Sequence, residues 1–316
     1  MAAIQSWVFA ILTCLAVVIK PPALATEGGA SHYVPGTYND FAAGVFAPSG
    51  LYFRNDFFAY HGEIPKASIG GRLFNDVDQR VWMDSLKLSL LTDWGFIGAR
   101  YGATVTLPIM LYGYAEGFLE LEGQRRDQDD RTGIGDLYVA PIQLNWHWAD
   151  HHLTFSQGVY LPTGSYDRKR VINLGRNYWS FDSNLTYTWL SQTRGHEVTF
   201  NAGYLLNTRN TTSDYRSGNE FHVDFLFAQH FTSQFAVGVP GYWYKQVTGD
   251  DADMLDQLNL GSFRGEAAGL GLALLFKPAV AGKDVNLVLK WVHDIHARQR
   301  FEGSEIMLSV TFKLLP

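Results

Sequence analysis

IGARYGATVTL, residues 97–107, is the stretch that decides the fold. In an extended chain, Ile97, Ala99, Tyr101, Ala103, Val105 and Leu107 fall on one side. Gly98, Arg100, Gly102, Thr104 and Thr106 fall on the other. A period of two held over so many residues is a strand between two different environments. Outward from it, after residue 50, the alternation recurs in about twelve segments whose spacings run long, short, long, short. His61–Asp78 is a long gap, Thr92–Gly95 a tight one, Pro108–Gly133 long again and Ala149–His152 tight. The segments tend to about 9–13 residues, enough to cross a bilayer at a tilt and longer than the roughly 5–6 of a globular strand. An even set of such strands, with short turns at one end and long loops at the other, predicts an all-β fold. The expected form is a transmembrane antiparallel β-barrel of about twelve strands over residues 51–316, with short periplasmic turns and long extracellular loops.

Composition agrees with that reading. The 316 residues are 47% apolar and 15% aromatic but only 18% charged, with a mean hydropathy of -0.08. After residue 25 nothing approaches the roughly 18 uninterrupted apolar residues of a membrane helix. A net charge of -6 gives a nucleic-acid partner no electrostatic support. Trp94, Trp146, Trp148, Trp179, Trp189, Trp243 and Trp291 fall at segment ends, where barrels carry aromatic girdles. Residues 1–25 read as a cleaved export signal: an apolar run Trp7–Ile19, two prolines and an A-x-A site at Ala23–Ala25. The single cysteine, Cys14, lies within it, so the remaining chain has no disulfide and no thiolate metal site.

Parity assigns the faces. In the fourth segment Tyr138, Ala140, Ile142, Leu144, Trp146 and Trp148 are expected outside, with Gln143, Asn145 and His147 inside. In the tenth, Gly265, Ala267, Gly269, Gly271 and Ala273 form an inward wall of small residues. Charges on the lipid face near the midplane cost roughly 2–4 kcal/mol for Arg or Lys. Arg54, Asp56, Arg100, Asp182, His222, Asp224 and Lys290 are therefore expected to line the lumen. They form either an internal ion-pair network or a polar constriction that orients a substrate.

Residues 26–50 follow no period and carry Gly, Pro, Asn and Asp punctuation with several aromatics. Three placements fit: a lumen plug entering from the periplasmic side, a cap at the periplasmic mouth, or an added short strand. The first is the leading expectation. Tyr33, Tyr38, Phe41 and Phe46 would pack on the small-residue wall, while Asn39 and Asp40 meet Arg100 or Lys290.

No catalytic pattern stands out, with no G-x-S-x-G, phosphate-binding Gly loop or H-E-x-x-H. His147, His151 and His152 read as polar residues beside a turn. Asp127, Asp129 and Asp130 lack the distal Glu of a calcium loop. Neither an enzyme, a resident metal nor a cofactor is expected.

Several stretches resemble the family known as the MetA-pathway of phenol degradation: HYVPGTYNDFAAGVFAPSGLYFRND (32–56), TGIGDLYVAPIQLNW (132–146), LPTGSYD (161–167), NLGRNYWSFDSNLTYTWL (173–190), TSDYRSGNEFHVDF (212–225) and GYWYKQVTGD (241–250). The resemblance implies passive transport of small hydrophobic, aromatic compounds across the outer membrane of a Gram-negative bacterium. The partners implied are outer-membrane lipid, lipopolysaccharide and the substrate, with the oligomeric state left open. A structural or adhesive barrel and a lipid-modifying barrel enzyme are the alternatives. The chain departs from the usual aromatic C-terminus, ending Phe312-Lys313-Leu314-Leu315-Pro316.

Overall fold

The computed structural model describes residues 26–120, 125–253, 264–280 and 282–315. The export-signal reading of 1–25 and part of the loop from Gly249 to Asp256 lie outside them. Among the described residues twelve long strands close into one barrel. They are β1 (Gly50–Ile69), β2 (Arg72–Phe96), β3 (Ala99–Leu119), β4 (Leu137–Trp148), β5 (His151–Leu161) and β6 (Ser180–Leu190), followed by β7 (His196–Asn207), β8 (Glu220–His230), β9 (Phe235–Gln246), β10 (Glu266–Phe276), β11 (Lys283–Arg298) and β12 (Glu302–Leu315). Each pairs antiparallel with the next, and β12 pairs with β1, Asp56 facing Ser309 across the seam. Closure leaves no unpaired edge, as a hydrocarbon surround requires.

The side-chain pattern is that of a globular protein turned inside out. On β11, Leu289 and Trp291 are 47% and 45% exposed, while Lys290 between them is 1% exposed. Ile306 and Leu308 repeat this on β12, and Leu270, Leu272 and Leu274 on β10. Only a lipid surround makes such a surface favourable, since monomers in water rarely carry a continuous apolar belt. Trp94, Trp148, Trp179, Trp243 and Trp291 are all exposed at the rims.

Three expectations need correction. The long gaps at His61–Asp78 and Pro108–Gly133 are not loops for most of their length. β1 and β2 stay paired to a two-residue turn, Gly70–Gly71, with φ of 59° and 74°. Positive φ at both positions is what a tight hairpin turn demands. A ribbon, Arg125–Ile134, likewise folds back onto β3. Beyond the membrane the pairing continues but neither face meets lipid, so the alternation that marks a strand fades. The ribbons carry their own core, in which Ile64, Ala67, Phe74, Val77, Ala115 and Leu119 pack with Val171, Ile172 and Phe301.

The second correction concerns β4. Its register against β5 shifts between Val139 and Ile142. The extra residue at Ala140–Pro141 flips the parity on one side, so Tyr138 and Ala140 point inward with Gln143 and Asn145, while Ile142 faces out. Pro141 breaks the ladder there because it has no N–H to donate. The third concerns residue 97: Ile97 and Gly98 form the β2–β3 turn, with φ of 49° and 76°, so the quoted alternation begins as strand only at Ala99.

Candidate functional site

The interior is filled by the chain's own residues 26–49. Immediately before β1, Ala47 accepts a hydrogen bond from Arg100 Nη1 (3.1 Å) at the short-turn end. From there the segment climbs the lumen. Gly44 donates its N–H to Thr188 Oγ1 (3.0 Å), and its carbonyl accepts from Asn145 (2.8 Å) and Thr154 (3.0 Å). Ala42 donates its N–H to Glu197 (2.6 Å). At the far end the Glu27 carboxylate accepts from Tyr166 (2.7 Å) and Asn210 (2.9 Å), among the long loops. The segment thus runs the length of the barrel rather than narrowing one mouth. It has no regular backbone pairing of its own, so the strand side chains satisfy its buried polar groups.

The seven lumen residues singled out by parity all face inward; six of them divide into two groups. In the first, Arg54 pairs with Asp40 of the segment and with Asp56 (2.7 Å), and Ser309 donates to Asp56 (2.5 Å). Lys290 donates to the Gly36 carbonyl (2.7 Å) and to Asn39 (3.2 Å). In the second, Asp182 accepts from Tyr38 (2.5 Å). Asp224 accepts from Tyr33 (3.0 Å) and bonds His222 Nδ1 (2.8 Å), and the His222 ring stacks on Tyr33 at 3.9 Å. Arg100 stands apart near the short turns, 5.9 Å over the Phe46 ring. Asn39 therefore meets Lys290 but Asp40 meets Arg54, and Arg100 is given to a backbone carbonyl.

Asp40 and Arg54 bury opposite charges against each other, which satisfies both in the lumen. Burial lowers the imidazole of His32 despite its 2.9 Å contact with Asp136, while its Nδ1 meets Ser180 at 2.7 Å.

The small-residue wall on β10 does not receive the four aromatics together. Tyr33 clusters with Tyr242, Tyr244, Ala267 and Val292. A Cβ on Gly269 would lie 2.4 Å from the Tyr242 ring, so the neighbouring strand's tyrosine occupies that space. Phe41 packs instead near Ala236, Leu275 and Val288, and Phe46 lies across the lumen, 3.0 Å from where Gly102 would carry a Cβ. Glu197 and His32 escaped the sequence reading. Glu197 shares the parity of Thr199 and Asn201, so extending β7 by one step would have found it. His32 lies in an aperiodic stretch with no such signal.

Between the segment and the barrel wall remains a cavity of about 640 Å³. Ser85, Thr104, Thr106 and Ser156 line it toward the short-turn end, and Tyr60, Val81, Met83 and Met110 toward the ribbons, joined there by Val171 and Ile172. On the outer ribbon His61, Glu63 and Asp78 bring three ligand-type atoms together, but His61 and Glu63 are exposed and the half-buried Asp78 pairs with His61 (2.7 Å) and Arg80 (3.4 Å).

A closed twelve-stranded barrel, apolar outside and polar inside, is the architecture of outer-membrane proteins. The chain belongs to the family described as "Putative MetA-pathway of phenol degradation", which matches residues 63–310. Among solved structures, an outer membrane channel from Pseudomonas putida F1 is similar with a TM-score of 0.67 at 15% identity, covering 89% of this chain and 100% of that one. A FadL homologue from Pseudomonas aeruginosa gives a TM-score of 0.41 at 12% identity, over 92% and 98% of the two chains. The first of these shares the fold. No curated protein matches the sequence.

Proposed function

We propose that this protein is a passive outer-membrane channel for small hydrophobic, aromatic compounds, reaching the membrane of a Gram-negative bacterium by a cleaved signal at residues 1–25. The observation that carries the reading is the cavity of about 640 Å³ between residues 26–49 and the barrel wall. A space of this size suits one small ligand. The family's link to phenol degradation and the channel from Pseudomonas putida support transport over catalysis.

In this reading residues 26–49 are a plug. Tyr33, Tyr38, Asn39, Asp40, Phe41 and Phe46 hold it, and Arg54, Asp56, Arg100, Asp182, His222, Asp224 and Lys290 are its lumen anchors. An apolar solute slips along the cavity between plug and wall, down its gradient, while bulk water and ions are held back. Outer-membrane lipid and lipopolysaccharide contact the outer belt. Deleting residues 26–48 raises single-channel conductance in a planar bilayer; unchanged conductance in a folded barrel rejects the plug. Flux of 2-phenylethanol into liposomes carrying the wild-type protein, compared with empty liposomes, tests transport itself.

A further inference from the structure

Arg300 is an interior cation that, among the described residues, has no carboxylate in contact. It lies in the turn between β11 and β12, is 7% exposed, and borders the cavity beside Phe301. Its guanidinium donates to the Tyr33 carbonyl (3.2 Å) and sits 3.8 Å over the Tyr244 ring. Among the described residues, Nη1 has no hydrogen-bond partner and no carboxylate makes an ion pair with the group.

The contrast with its neighbours is sharp. Arg54 holds two carboxylates and Lys87 lies 4.0 Å from Asp56, while Lys290, with no carboxylate in contact among the described residues, has its donors taken by Gly36 and Asn39. Of the carboxylates that act on Arg300, Asp294 is engaged by other donors. Glu220 is engaged through one oxygen, while among the described residues its Oε2 has no hydrogen-bond partner and makes no ion pair with the guanidinium. Glu220 accepts from Asn207 (2.9 Å), and Asp294 accepts from Tyr242 and the Gly303 N–H (2.9 Å). A buried guanidinium with an idle N–H is costly unless something arrives to satisfy it.

A second idle donor borders the same cavity. Tyr178 is 2% exposed and its hydroxyl has no partner. Ile69, Val171, Ile172 and Phe301 line the same cavity and belong to the ribbon core.

We propose that Arg300 and Tyr178 form a receptor for the carboxylate of a small amphipathic acid, whose aryl or alkyl body rests on Ile69, Val171, Ile172 and Phe301. The proposal rests on the channel reading and narrows its substrate class from apolar molecules at large to those with one anionic end. A planar guanidinium offers a carboxylate paired N–H donors, and no carboxylate among the described residues is in contact with it. The site lies at the long-loop end of the cavity, where a solute from outside would first be captured.

The test is calorimetric titration of the full-length folded protein in detergent with phenylacetate and with 2-phenylethanol, which share ring and chain length and differ in the anionic end. Wild-type protein is expected to prefer phenylacetate by at least about tenfold, the scale of one hydrogen bond to a charged group. In R300Q that ratio falls to near one, R300K restores part of it, and Y178F lowers it by about threefold. Heat-modifiable mobility in gels establishes that each variant is folded. A wild-type ratio near one overturns the proposal, as does a ratio unchanged in folded R300Q. Should R300Q not fold, an unchanged ratio in Y178F overturns it. If 2-phenylethanol crosses liposomes but the wild-type protein shows no preference, this site fails and the channel survives. If neither compound crosses, the channel reading itself fails.

Discussion

Replacing Asp40 by asparagine should free the lumen segment from its strongest anchor. Asp40 is buried and pairs with Arg54, while Lys290 bonds the adjacent Asn39. A hydrogen bond to a charged group contributes about 1.5–3 kcal/mol, and about 2.3 kcal/mol is roughly fiftyfold in population. D40N removes the charge and leaves Arg54 to Asp56 alone. The segment's opening should then rise by about that fiftyfold, read as hydrogen exchange at Ala42 and Gly44, whose N–H groups donate to Glu197 and Thr188. A rise of less than threefold in D40N at neutral pH would refute the reasoning and show that the segment is held by its other contacts.

Further outcomes follow from the barrel wall and the loops. Leu289→Arg places a cation on the lipid face and should lower stability by about 2–4 kcal/mol, measured as the urea midpoint of the folded gel band. Burial pushes the Asp250 carboxyl up to about 7 where it accepts from Tyr215 and the Gly218 N–H. Its stabilisation of the ribbon pairing Asp251 with Arg216 is full below about 4 and lost as pH rises through about 7, so intrinsic-rate-corrected exchange there should be at least about tenfold faster at pH 8 than at pH 5. D250N should abolish that dependence. Gly70→Ala puts a Cβ 1.9 Å from the Arg168 carbonyl at a φ of +59°. It should cost about 1–3 kcal/mol locally, seen as faster tryptic cleavage after Arg168.

What the sequence disclosed is what the membrane enforces. Between lipid and lumen every second residue must change character, so Asp182, His222, Asp224 and Lys290 were placed inside by counting alone, and all are 0–1% exposed. Where that constraint lapses, counting fails. The ribbons above β1–β3 face no lipid and passed for loops. Pro141 introduced a bulge that no count across β4 survives. Residues 26–49 have no period, so their aromatics and polar groups could be recognised but their partners could not. Asp40 chose Arg54 over Arg100 because the segment's path, set by Gly44 at Thr188 and Gly36 at Lys290, brings it there. Arg300 gave no signal at all, since a turn residue has neither parity nor motif.

Glu27 and Gly50 stand at opposite ends of the barrel, although only about two dozen residues separate them. The chain is consequently threaded: its earliest described residues lie beyond the far rim before the first strand has begun. The β1–β12 seam must then close around a strand of chain already in place, or the strand must be drawn through afterwards past the ribbon core of Ile64, Phe74 and Val77. Bulky cargo fused ahead of residue 26 would meet that bottleneck, and its passage or arrest would report the order in which the barrel is built.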